Sequence, residues 1–243
     1  MVSDNRKLIL SDSLLRRLQD SDFKNTKLVS KPGARFDTFS REIQQGRIDL
    51  APYSTIVLLV GTNNIDNLVY SKYGPVGYKL YAKNHHAPPT PVTMDSIIQQ
   101  FLALVQRIRE VVPLATVIVT AVIPRKGDWK WSGTHSFTLN NVMQSWCCQQ
   151  QLQGNKAIFI PSYKFFTKRG QLRQELYSGD GIHLSDKGLK VIRQAVQQAM
   201  SDTSLSSGGF WRKQPMGWGR PKRIREPRQV GNLIVYEPNE KKG

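Results

Sequence analysis

Acidic residues are scarce in this 243-residue chain: 18 Asp and Glu stand against 35 Lys and Arg, a formal net charge of +17. An excess of that size favours a polyanionic neighbour, whether nucleic acid, an anionic membrane surface or an acidic substrate. Cysteine is almost absent. Cys147 and Cys148 are adjacent, a spacing that rarely meets disulfide geometry, and no zinc-ligand spacing occurs, so both are expected to be reduced helical thiols. No stretch approaches the roughly 18 apolar residues a membrane span needs. The apolar run after Arg6-Lys7 is only Leu8-Ile9-Leu10, too short for a signal peptide. A soluble, intracellular protein is expected, cytoplasmic or nuclear. Internal repeats are missing too. Hydrophobic residues still make up 39% of the chain, enough for a real core, and the length suits one domain with an appendage.

Short apolar runs alternate with segments of helical period. Lys7 to Leu10, Lys27 to Ser30, Thr55 to Val60, Thr116 to Val122 and Ala157 to Ile160 read as five strands. The third and fourth are β-branched and uninterrupted, as strands buried on both faces are. Helices are expected at Leu14–Leu18, at Phe36–Ile48, and where Ile97 to Val112, Leu139 to Trp146 and Leu189 to Met200 repeat apolar residues on one face. Strand followed by helix throughout implies a parallel sheet covered on both sides. From Asp202 the periodicity is lost, so a folded domain over residues 1–201 and a basic, disordered tail over 202–243 are expected.

Four stretches follow apolar runs and carry the chemistry: Ser11-Asp12-Ser13-Leu14, Pro32-Gly33-Ala34, Gly61-Thr62-Asn63-Asn64 and Asp180-Gly181-Ile182-His183. Ligands bind outside the carboxyl ends of strands in an open parallel sheet, and all four stretches are expected at that edge. A serine hydroxyl needs a base to take its proton, which makes Ser13 the candidate nucleophile and His183 its base. Asp180, three residues before His183, would hold the imidazole in one tautomer and stabilise its protonated form. Ser13 is expected at a helix N-terminus, where developing negative charge is favoured. The amides of Ser13 and Gly33 and the side-chain amide of Asn63 would form an oxyanion hole. Taken singly, each stretch also reads as a helix cap or a turn; their coincidence at strand ends points to acyl transfer.

These blocks resemble the SGNH, or GDSL, hydrolase superfamily, whose serine, glycine, asparagine and histidine lie in separate blocks. The resemblance spans about residues 7 to 200. Gly61-Thr62-Asn63-Asn64 and Asp180 to Ser185 lie close to the family pattern, and Pro32-Gly33-Ala34 is a modest match. In the first block Ser11 stands where the family has glycine. The resemblance implies a flavodoxin-like three-layer α/β/α sandwich with a central parallel five-stranded sheet, no cofactor, and hydrolysis of carboxylic esters. It assigns Ser13, Asp180 and His183 to the triad and Gly33 and Asn63 to the oxyanion hole. Esterase domains of this type also occur in first-reading-frame proteins of retrotransposons, which bind RNA. No Gly-x-Ser-x-Gly elbow is present, against an α/β-hydrolase.

Trp129 and Trp131, with His135, are expected in the loop after the fourth strand, where they would line an acyl pocket. The Tyr70–Tyr81 segment is a candidate lid. His85-His86 has no acidic or cysteine partner at ligand spacing, so no metal site is expected. In the tail, Arg212, Lys213, Arg220, Lys222, Arg223 and Arg225 interleave with Phe210, Trp211 and Trp218, a composition suited to RNA or single-stranded DNA. Two other functions use the same parts: a nucleic-acid-associated binding protein on this scaffold, and an acyltransferase in which a hydroxyl acceptor outcompetes water.

Overall fold

The computed structural model describes residues 5–73, 91–125, 129–169, 171–201, 228–230 and 233–235. Strands β1 (Lys7–Ser11), β2 (Thr26–Ser30), β3 (Thr55–Leu59), β4 (Thr116–Thr120) and β5 (Ala157–Ile160) form one sheet in the order β2-β1-β3-β4-β5. Every pairing in it is parallel. Successive side chains of a strand face opposite sides, so the uninterrupted apolar runs supply two cores at once. Leu8, Leu10, Ile56, Leu58, Val117 and Val119 face one side. There they meet Phe36 and Phe39 of α1 (Phe36–Gln44), Ile65 and Val69 of α2 (Thr62–Tyr73), α3 (Met94–Val111) and α4 (Trp129–Leu152). Ile9, Val57, Ile118 and Ile160 face the other side, against Ile192 and Val196 of α6 (Asp186–Ser201) and Phe166 of the one-turn α5 (Tyr163–Phe166). The result is the three-layer α/β/α sandwich.

Register brings the site to one level. Ser11 stands opposite both Ser30 of β2 and Leu59 of β3, so the chain leaves all three strands at the same edge of the sheet. The outer edge of β2 is closed locally: the Leu28 amide donates to Asp20 Oδ1 at 2.7 Å, and Asp20 opens a 3-10 turn at Asp20–Asp22.

Two expectations change. The short helix behind β1 is a single 3-10 turn, Ser13–Leu15. Residues 12–25 must return the chain to the start of β2, and the second turn occupies the middle of that path. Trp129 and Trp131 lie in the first turn of α4 and not in a loop. No proline separates them from Leu139, so the helical run extends upstream. A short antiparallel pair, β6 (Thr167–Lys168) with β7 (Gln171–Leu172), gave no pattern in the sequence. Tyr70 and Tyr73 belong to α2, while the rest of the candidate lid and His85-His86 lie outside the described residues. Within the tail, β8 (Arg228–Val230) pairs antiparallel with β9 (Leu233–Val235). Arg212, Lys213, Arg220, Lys222, Arg223 and Arg225 lie outside the described residues.

Candidate functional site

The first three blocks are stitched to one another at the ends of β1, β2 and β3. The Lys31 amide donates to the Ser11 carbonyl at 2.9 Å, and Ser30 Oγ donates to the Asp12 carbonyl at 2.8 Å. Asn63 Nδ2 donates to the Ala34 carbonyl at 2.9 Å, which holds the third block on the second. Asp12 is fully buried and works in two directions. Its Oδ1 accepts from the Leu14 amide at 3.0 Å, capping the Ser13–Leu15 turn, and its Oδ2 accepts from the Thr62 hydroxyl. Burial pushes the Asp12 carboxyl above its ordinary range; Thr62, the Arg125 charge and the Leu14 amide offset part of that, while Asp66 adds to it.

Those bonds leave particular donors unused. Among the described residues, neither the Ser13 amide nor the Gly33 amide donates a hydrogen bond within the chain. Gly33 sits at φ +75°, the left-handed region where a side chain is strained, in the turn closed by the Ala34 amide on the Lys31 carbonyl at 3.1 Å.

The fourth block is built by a turn. The Ser178 amide donates to the His183 carbonyl at 2.8 Å and the Gly181 amide to the Ser178 carbonyl at 3.0 Å, so the segment folds back on itself. Tyr177 and Leu184 form a β-bridge at its base. Asp180 Oδ1 accepts from Ser178 Oγ at 2.6 Å and from the amides of Ile182 and His183, each at 2.9 Å. Its Oδ2 lies 2.6 Å from His183 Nδ1. Partial burial pushes the carboxyl up, but the bonds from Ser178, the His183 ring and the two amides outweigh it and hold Asp180 well below the usual carboxylate range. An ionised carboxylate only accepts, so Nδ1 carries the proton and Nε2 of the neutral ring is left with its lone pair.

Three features bring this turn toward the first block. Leu14 and Leu15 share one buried cluster with Tyr177, Leu184 and Leu189. Arg17 Nη2 donates to Asp186 Oδ1. Arg193 Nη1 and Gln197 Nε2 hold Asp22 through its carboxylate and its carbonyl, both at 2.9 Å. On the far side, the Tyr177 hydroxyl donates to the Pro124 carbonyl. Asp180 and His183 are thus joined directly, and Asn63 is joined to the Gly33 turn. No hydrogen bond links His183 to Ser13 among the described residues. Such contacts are often long without substrate and tighten in its presence.

Sequence reasoning passed over Ser178, Tyr177 and the buried pair Arg125–Asp66. Ser178 lies two residues before Asp180, a spacing that nothing distinguishes from an ordinary turn. Of the Trp129 and Trp131 pocket, only the helical backbone is described. Among the described residues no group of three or more His, Cys, Asp or Glu side chains is arranged to hold a metal. No helix there is long and apolar enough to cross a membrane.

The model of the GDSL-like lipase/acylhydrolase family matches residues 5–191. Solved structures of the same fold include a GDSL-like lipase from Bacteroides thetaiotaomicron, 14% identical over 83% of this chain and 90% of that one, at a TM-score of 0.57. A carbohydrate esterase family 3 protein from Talaromyces cellulolyticus is 15% identical over 83% of this chain and 100% of that one, at 0.56. The esterase domain of a zebrafish retrotransposon's ORF1 protein is 20% identical over 80% of this chain and 98% of that one, at a TM-score of only 0.38. No curated protein sequence matches this one significantly.

Proposed function

The chain belongs to the GDSL-like lipase/acylhydrolase family, and from that premise we propose that it hydrolyses carboxylic esters through an acyl-enzyme on Ser13. The observation that carries the reading is the 2.6 Å bond between Asp180 and His183 Nδ1, which leaves Nε2 as a base in a turn whose flanking residues, Tyr177 and Leu184, share a buried cluster with Leu14 and Leu15.

In the first half-reaction Ser13 Oγ attacks the ester carbonyl carbon while His183 Nε2 takes the hydroxyl proton. The carbonyl π electrons move onto oxygen. That oxyanion is met by the amides of Ser13 and Gly33 and by the second Nδ2–H of Asn63, donors that folding leaves unspent. Collapse breaks the bond to the leaving alcohol, which departs with the proton from His183. In the second half, water gives a proton to His183 and attacks the acyl carbon; the acid leaves and Ser13 recovers its proton. Asp180, held ionised by four donors, stabilises the imidazolium in both halves.

Ser13→Ala is expected to abolish turnover of p-nitrophenyl acetate and labelling by a fluorophosphonate probe, with thermal stability retained. Turnover and labelling at the level of the unaltered chain would refute the mechanism. Nucleic-acid contact is a second reading supported by one observation, the net charge of +17.

A further inference from the structure

The segment leaving β4, Ala121 to Arg125, belongs to none of the four blocks, yet its last residue reaches into one of them. Arg125 and Asp66 are both buried, with side chains 5% and 4% exposed, and Arg125 Nη1 donates to Asp66 Oδ2. The other arm of the guanidinium, Nη2, points at Asn63 Oδ1, 3.4 Å away. Asn63 Nδ2 donates to the Ala34 carbonyl at 2.9 Å on the opposite side.

These two neighbours distinguish the two ends of the Asn63 amide. With the amide as it stands, an acceptor faces the cationic donor and a donor faces the carbonyl. Turned by 180°, the NH2 group would meet the guanidinium and the oxygen would meet the Ala34 carbonyl, donor on donor and acceptor on acceptor. One of the two Nδ2 protons is spent on Ala34, and the direction of the other is fixed by the same choice. A fork anchored on Asp66 suits this task because one arm is immobilised by a buried carboxylate while the other is aimed.

We infer that Arg125, anchored by Asp66, is a positioning residue for the oxyanion hole: it fixes the flip of the Asn63 amide so that its second N–H is presented to the substrate oxygen. The inference rests on the Ser13 reading above and adds to it a residue that does not touch substrate. The Arg125 charge is also felt at Asp12 and Tyr177, and lysine keeps that charge; the contribution of the aimed arm runs through Asn63 and must vanish when Asn63 has no amide to orient.

The test is a double-mutant cycle on the full chain with p-nitrophenyl acetate, using Asn63→Ala, Arg125→Lys and the double variant. Lysine keeps a positive charge against Asp66 and removes the aimed arm. Arg125→Lys is expected to lower kcat at least about tenfold with KM nearly unchanged, the pattern of an interaction felt mainly in the transition state. In the Asn63→Ala background the same change should cost almost nothing. Equal losses in both backgrounds, or no loss in the first, would overturn the inference. Full activity of Asn63→Ala would instead overturn the oxyanion assignment itself. Should Arg125→Lys fail to fold, the paired change Arg125→Met with Asp66→Leu removes both buried charges together and orphans neither; the same cycle is then read on that background.

Discussion

Asp180 divides its work between its two oxygens. Oδ1 is filled by Ser178 and two amides, which fixes the carboxylate in space; Oδ2 is reserved for the His183 ring. Asp180→Asn keeps the shape and, with its NH2 group turned to Nδ1, favours the tautomer whose proton sits on Nε2. Turnover should then fall by about 10³- to 10⁴-fold with the protein still folded, read from ester hydrolysis beside circular dichroism. A second consequence is acid sensitivity. The folded carboxyl titrates below its ordinary value of 3.8, so the stability it adds is present above about pH 4 and is lost as pH falls further. Melting temperatures of the unaltered chain and of Asp180→Asn should therefore converge between pH 4 and pH 2. Asp180 and His183 were legible in the sequence because their partnership is local, spanning three residues. Arg125 was not, because Asp66 and Asn63 lie 59 and 62 positions away and only the fold makes them neighbours.

At the level of elements, β3 and β4 announced themselves as aliphatic and β-branched runs, since burial at every position leaves no polar residue to blur the pattern; β2, an edge strand with Lys27 exposed, gave a weaker one. The turn after β1 was less readable. Leu14 and Leu15 suggest a helix, but both side chains are spent in the cluster beneath α6 and the helix stops after one turn. A single turn has little dipole, so the polarisation available at Ser13 reduces to its own amide. Gly188, in the first turn of α6, shows how closely the last helix approaches the His183 turn. A Cβ there would lie 2.1 Å from the Leu176 carbonyl oxygen. Ser185 completes the junction, accepting from the Gly188 amide at 3.2 Å and donating to the Glu175 carbonyl at 2.8 Å. Gly188→Ala must push the helix and the turn apart. A loss of about 1–3 kcal/mol in denaturant unfolding is expected, together with slower ester turnover; unchanged stability would show that the junction yields at no cost.

Across the whole molecule the charge is lopsided, and the tail accounts for less than half of it. From Asp202 onward there are nine Lys and Arg against four Asp and Glu, so most of the +17 is carried by residues 1–201. If that charge meets a nucleic-acid backbone, fluorescence anisotropy with a single-stranded oligonucleotide should show affinity falling steeply between about 50 and 200 mM salt. Binding indifferent to salt, or none at 50 mM, would remove the second reading while leaving the esterase reading untouched.

The ion pair between Arg17 and Asp186 joins positions 169 residues apart. A ribosome adding about 5–20 residues per second completes the first strand long before the final helix emerges. On the mechanism proposed above, the nascent polypeptide would carry the Ser13 hydroxyl unarmed for roughly ten seconds or more, with reactivity switching on only once synthesis has passed α6 and that helix has docked.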